Sequence, residues 1–166
     1  MLLVKMTDWL TKVLMIFGAV WAFCLCFVAL SDIILRALDI PITGTKEIVA
    51  NSVVIIVFMQ VGYAVRSSSM LRADFVVVMM PPPVQKGLRI FCYLLGGLFF
   101  LFLLDAALPH AIRSFTRGEF DGVGALQVPV WPARWAIVLG SALAGFNYLL
   151  IAAVDIFGLD IERMDL

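Results

Sequence analysis

The sequence predicts an all-α integral membrane protein with four transmembrane helices and a short interfacial segment between helices two and three. Of its 166 residues, 63% are hydrophobic and 14% are charged, whereas soluble domains carry about 25% charged residues. The mean hydropathy is +1.07. Because a helical span takes about 20 mostly apolar residues, we expect a single membrane domain, residues 1–166, with no separate soluble domain.

Four apolar runs supply the predicted spans. Backbone N–H and C=O groups in hydrocarbon must pair within their own segment, so each run is expected to be helical. Lys5 and Lys12 precede the first run, as in a secretory signal, but that run is longer than a signal's apolar core and has no small-residue cleavage site before Ser31. We therefore expect an uncleaved first span. The runs are residues 13–30, 48–65, 88–104 and 135–154.

The connection between the first two runs contains an acid and a base four residues apart. Asp32 and Arg36 are expected to pair on one face of a helix that continues past the membrane surface. Pro41 and Gly44 then turn the chain. Glu47 falls in the first turn of the second helix, where an acid favours a helix start.

The connection between the last two runs, residues 105–134, ends in the sequence "VPVWPARW". Its Trp131 and Trp135 fit the aromatic belt at the level of the lipid headgroups, with Arg134 beside them as an anchor. We therefore expect the fourth span to begin close to Trp135.

The second connection contains "SMLRADFVVVMMPPPVQKG", a short apolar segment that stops at three prolines. On a helix over residues 71–80 the large apolar side chains share one face, while Arg72 and Asp74 reach headgroups, which is typical of a segment lying in the interface. The alternative is a short extended piece, because the segment is rich in β-branched residues. We favour the helix, since an unpaired strand at that depth leaves backbone groups unsatisfied.

The distribution of lysine and arginine favours both termini on the cytoplasmic side of the membrane. With four spans both ends share one side, which collects seven of these residues against five on the other. The formal net charge is zero, so nothing indicates nucleic acid as a partner, and the lipid bilayer is the expected surrounding.

Polar residues inside the runs are few, and we interpret Asn51, Gln60 and Asn147 as hydrogen-bonding residues between helices. Four carboxylates lie at the ends of the apolar runs, and none is predicted in the middle of a span. Because a proton-coupled carrier needs an ionisable group near the midplane, this distribution argues against an autonomous carrier. These carboxylates are Asp32, Glu47, Asp105 and Asp155.

No cofactor, metal or catalytic site is predicted, and we expect no enzyme activity. His110 is the only histidine, whereas a haem held across a bundle by two histidines needs a second one. Cys24, Cys26 and Cys92 lie in apolar runs, where a thiol is usually a small buried hydrophobe. The serines lack a histidine partner for nucleophilic catalysis.

Four short motifs follow one another along residues 13–150: "DIILRALDIPI", "TGTKEIV", "SSSMLRADFV" and "LQVPVWPARWAIVLG". In this order they resemble the Q-type small membrane subunit of tripartite ATP-independent periplasmic (TRAP) transporters. In that family a histidine commonly lies two residues before the arginine of the third motif, whereas this chain has Met70. Arg72 and Asp74 match the family pattern.

The resemblance implies a non-catalytic subunit of a secondary transporter that imports organic acids, with sodium coupling in another subunit and no cofactor here. A large multi-span membrane transport subunit carries the substrate, a periplasmic solute-binding protein delivers it, and the small subunit braces the large one. We expect Arg36 and Glu47 to pair and to fix the angle between helices one and two. The architectural candidates are Arg36, Glu47, Arg72, Asp74 and Trp131, and the candidates for docking the binding protein are Arg113, Arg117, Glu119 and Asp121.

Two alternatives remain open at this stage. A stand-alone small four-span carrier acting as an oligomer needs a midplane acid, which the residue pattern does not indicate. The other alternative is a membrane anchor subunit of a redox enzyme. An anchor that holds haem between two histidines needs a second histidine, which this chain lacks, but a haem-free anchor stays open.

Overall fold

Four long helices and a small β-ribbon make up the protein in a computed structural model that describes residues 2–40, 44–67, 81–122 and 127–157. All four helices are long and apolar enough to cross a membrane, which confirms the predicted fold class. The interfacial segment predicted at 71–80 lies outside the described residues. The helices are α1 (Leu2–Ala37), α2 (Thr45–Arg66), α3 (Pro82–Arg117) and α4 (Trp131–Phe157). The two antiparallel strands are β1 (Phe120–Asp121) and β2 (Val128–Pro129).

The helix ends follow local chemistry. Pro82 lies in the first turn of α3 and follows Pro81, which is extended. In the first turn the missing N–H of proline removes no helical hydrogen bond. Gly118 ends α3 in the left-handed conformation with a φ of 58°, as glycine commonly does. At the end of α1 the same conformation falls on Asp39, also with a φ of 58°.

The helices form an open row in the order α1, α2, α4, α3. The principal contacts join α1 to α2, α2 to α4, and α4 to α3. Consequently α1 and α3 occupy the edges of the row and expose most of their apolar side chains, whereas α4 is the most buried span. Cys24, Cys26 and Cys92 lie on the exposed faces of these edge helices and do not pack within the row.

Glycine residues set the closest helix approaches. A Cβ atom on Gly140 would overlap the carbonyl oxygen of Phe58, so α2 and α4 touch backbone to backbone. A Cβ on Gly97 would lie 3.1 Å from Leu149 Cδ2 in α4. Close packing through small residues is the usual basis of helix association in lipid, where burial of apolar surface gives no net drive.

The lengths of the helices differ more than the apolar runs indicate. The 22 residues of α2 extend about 33 Å at 1.5 Å per residue, close to the roughly 30 Å of the hydrocarbon layer. The 36 residues of α3 extend about 54 Å. The apolar run, residues 88–104, therefore does not determine which part of α3 crosses the membrane, because the helix continues for several turns beyond this run.

Candidate functional site

Interhelical polar contacts at the two ends of the row form the candidate functional site. We call the end that holds Asp8 and Arg66 the terminal end, and the end that holds Asp32, Thr45 and the β-ribbon the ribbon end. Within the described residues each of these contacts ties together chain segments that are adjacent in the row.

An ion pair joins α1 to α2 at the terminal end. Arg66 Nε donates to Asp8 Oδ1 at 2.7 Å. The side chain of Arg66 is only 6% exposed and that of Asp8 is 24% exposed. The pairs predicted from the sequence do not include this one. The available signal was the presence of opposite charges at the same membrane surface on consecutive, antiparallel helices.

One helical turn further into the membrane, three helices meet around Gly62. Asn147 Nδ2 donates to the Gly62 carbonyl at 3.2 Å, which confirms Asn147 as an interhelical hydrogen-bonding residue. Thr11 is also buried here, and a Cβ on Gly62 would lie 3.4 Å from its Cγ2 atom. The side-chain oxygen of Asn147, Oδ1, is buried and accepts no hydrogen bond from the described residues. The junction thus links α1, α2 and α4.

At the ribbon end the carboxylate of Asp32 joins α1 to α2. Arg36 Nη2 lies 2.9 Å from Asp32 Oδ2, as the four-residue spacing predicts, and Thr45 Oγ1 donates to Asp32 Oδ1 at 3.1 Å. The predicted pairing of Arg36 with Glu47 is wrong. Asp32 is buried against the start of α2, whereas the Arg36 side chain is 56% exposed, so the acid and not the base makes the contact between helices.

A second group at the ribbon end joins α3 to α4. Arg134 Nη1 lies 2.6 Å from Glu119 Oε2 and donates to the His110 carbonyl at 3.0 Å. The Val130 N–H donates to the Glu119 carbonyl at 3.1 Å. Both the side chain and the backbone of Glu119 are therefore engaged with the start of α4.

The remaining candidates are distributed as follows. Arg113, Arg117 and Asp121 are exposed at the ribbon end. Trp131 is 41% exposed and packs edge-on against Phe115, with ring centroids 5.9 Å apart. Arg72 and Asp74 lie outside the described residues, so the structure does not place them.

The sequence model for a known family matches most of the chain. It is described as "Tripartite ATP-independent periplasmic transporters, DctQ component", and it covers residues 25–158. The chain belongs to this DctQ family. No curated protein matches the sequence.

Membership of the DctQ family makes the chain a TRAP transporter small membrane component. The matched region includes the contacts at Asp32, Gly62, Arg134 and Asn147 but begins after Asp8. The arrangement on this DctQ chain consists of paired charges and interhelical hydrogen bonds, and such contacts fix relative helix positions rather than transform a substrate.

One carboxylate of the DctQ chain, Asp105, lies within a helix that continues past the predicted apolar run. The apolar run stops at Leu104 and predicts a span end at Asp105, but α3 continues without interruption to Arg117. The residue lies well inside α3 and is exposed. The end of the apolar run therefore does not place Asp105 at the end of the helix, and family membership is the finding that argues against a stand-alone carrier.

Proposed function

We propose that the chain is the non-catalytic small membrane subunit that braces the large transport subunit of a TRAP transporter during cation-coupled import of organic acids. The observation that carries the proposal is the DctQ family match over residues 25–158, on a chain with four membrane-spanning helices. Coupling ions and substrate are handled by the large subunit, and a periplasmic binding protein delivers the substrate.

The packing of the row supports a brace that does not change shape. Gly140 lies against the backbone of Phe58, so α2 and α4 pack at close range, as helices joined through small residues do in lipid. Ion pairs tie α1 to α2 near Arg66 and α3 to α4 near Arg134. Each neighbouring pair of helices is thereby fixed by a polar contact, a close approach or both.

The ribbon end supplies the proposed docking surface for the binding protein. Arg113, Arg117 and Asp121 are exposed there, and exposed charges steer association of a soluble partner. Glu119 contributes less to such docking, since its carboxylate is paired with Arg134. This assignment requires the ribbon end to face the periplasm, with both termini in the cytoplasm of a bacterial inner membrane.

Affinity purification of a tagged chain from its native membranes in mild detergent tests the proposal. We expect a large multi-span membrane protein in stable complex, and a solute-binding protein recovered transiently. Recovery of the tagged chain only as a self-oligomer, or with soluble redox subunits, contradicts it. Labelling of an introduced cysteine at Asp121 from the periplasmic side only is the expected result for orientation.

A further inference from the structure

Asp105 is a carboxylate on the apolar outer face of α3. The α3 helix packs on α4 through Gly97 and Phe100 and also buries Ala111 and Ser114. At 100° per residue Asp105 lies about 80° around the helix from Gly97 and about 120–180° from the other three, so it lies outside this packed face. Its neighbours at helical spacing on the outer face are exposed apolar residues, namely Leu98, Leu101 and Ile112. The charge is thus surrounded by a surface that otherwise suits lipid or another membrane helix.

The depth of Asp105 follows from the register of the helices. Gly97 lies against Leu149 and Phe100 against Gly145, while Phe115 packs on Trp131 nearer the ribbon end. Because α3 and α4 are antiparallel, these contacts place Asp105 level with Gly140.

Gly140 in turn touches Phe58 of α2. Phe58 lies about 12 Å along α2 from Arg66 and about 20 Å from Thr45, at 1.5 Å per residue. Since Arg66 and Thr45 mark the two polar ends of this span, Asp105 lies near the middle of the hydrocarbon layer.

Asp105 has two hydrogen-bond acceptors, its carboxylate and its backbone carbonyl, that have no donor among the described residues. The carboxylate of Asp105 makes no ion pair or hydrogen bond with any residue in the described part of the chain. Pro109 lies inside α3 and has no N–H, so the backbone carbonyl of Asp105 lacks its regular helical donor. Both acceptors are costly in hydrocarbon unless a donor reaches them.

We propose that the outer face of α3 around Asp105 is the contact surface for a transmembrane helix of the large transport subunit, and that this helix carries a lysine or arginine at mid-depth. The inference rests on the proposed function and adds to it the helix face and the chemistry of the partner group. One basic side chain satisfies both the carboxylate and the open carbonyl of Asp105.

Charge complementarity selects this occupant. Lipid tails supply no donor to the two acceptors. A second copy of the chain packed on the same face by a two-fold axis would bring two Asp105 carboxylates together, and like charges repel. The neighbouring leucines and Ile112 provide the apolar area that packs against the rest of the partner helix.

The test uses the tagged full chain and its native complex. The variants are Asp105→Leu and Asp105→Asn, and Asp39→Asn, at an exposed acid beyond the end of α1, is the matched control. We expect Asp105→Leu to lower recovery of the large subunit about tenfold, Asp105→Asn to lower it less, and Asp39→Asn to leave it unchanged. The amount of the small subunit in the membrane should not fall, because Asp105 has no partner in the described chain.

A photoreactive residue at Leu101 provides an independent measurement. We expect it to cross-link to the large subunit, and to do so less when Asp105 is changed to Leu. If the wild-type chain recovers the large subunit but Asp105→Leu does so equally well, or Leu101 cross-links only to lipid or to a second copy, the inference fails while the proposed function stands. If the wild-type chain recovers no large subunit, both fail.

Discussion

Asp8 and Arg66 are separated by most of α1 and α2 in sequence, yet their side chains meet at 2.7 Å. Arg66 is almost fully buried, so the pair is one of the few charged contacts shielded from solvent in the described structure. The short, shielded contact explains why the antiparallel α1 and α2 stay in register at their terminal end.

Removing one partner of this pair is expected to destabilise the chain. Asp8→Ala should lower the free energy of unfolding by about 3 kcal/mol, because it leaves a buried guanidinium without its counter-charge. Replacing both residues, as Asp8→Ala with Arg66→Met, should recover most of the loss. Reversible unfolding in detergent micelles measures both values, and equal, additive losses would show that the pair is not energetically coupled.

The contact between Gly140 and Phe58 predicts a severe effect of a small substitution. Gly140→Ala should destabilise by about 1–3 kcal/mol or more, because its Cβ overlaps a backbone carbonyl that cannot rotate away. Gly87→Ala is the matched control, since open space surrounds Gly87 and alanine is the better helix former by about 1 kcal/mol. Thermal unfolding of the two variants in the same detergent checks the prediction. A neutral Gly140→Ala would contradict a backbone contact between α2 and α4.

Asp39 occupies a left-handed position that glycine adopts more readily. Asp39→Gly should raise the free energy of unfolding by about 0.5–1 kcal/mol through relief of backbone strain. Gly118, which ends α3 with the same φ of 58°, provides the opposite control. Gly118→Ala should lower stability by a similar amount. A loss of stability in Asp39→Gly would instead indicate that the Asp39 side chain makes a contact that stabilises the fold by more than the backbone strain costs.

The contacts of Asp32 predict which charges at the ribbon end are coupled. Arg36→Ala and Glu47→Ala should affect stability additively, because their side chains do not touch in the described structure. Asp32→Ala should cost more than Arg36→Ala, since it also removes the acceptor of the Thr45 hydroxyl. A double-mutant cycle that finds coupling between Arg36 and Glu47 would restore the original pairing hypothesis.

The sequence determined the membrane class, the four helices and the local features that depend on near neighbours. The apolar runs and the Asp32–Arg36 spacing each act within one helix, so their consequences follow from helical geometry and the demands of lipid. The role of Asn147 as an interhelical hydrogen-bonding residue was likewise predictable, because a buried amide in hydrocarbon requires a partner.

Only the tertiary structure decided the row order, the Asp8–Arg66 pair and the register that sets Asp105 level with Gly140. Arg36 and Glu47 were plausible partners from position alone, but the faces that α1 and α2 present to each other brought Asp32 and Thr45 together instead. The position of Asp105 within α3 does not follow from the apolar run, because hydropathy marks where a run becomes less apolar, whereas the helix continues to Arg117. The physical reason is common to these cases: composition fixes what a segment prefers, and the rotation and register of packed helices fix what each side chain meets.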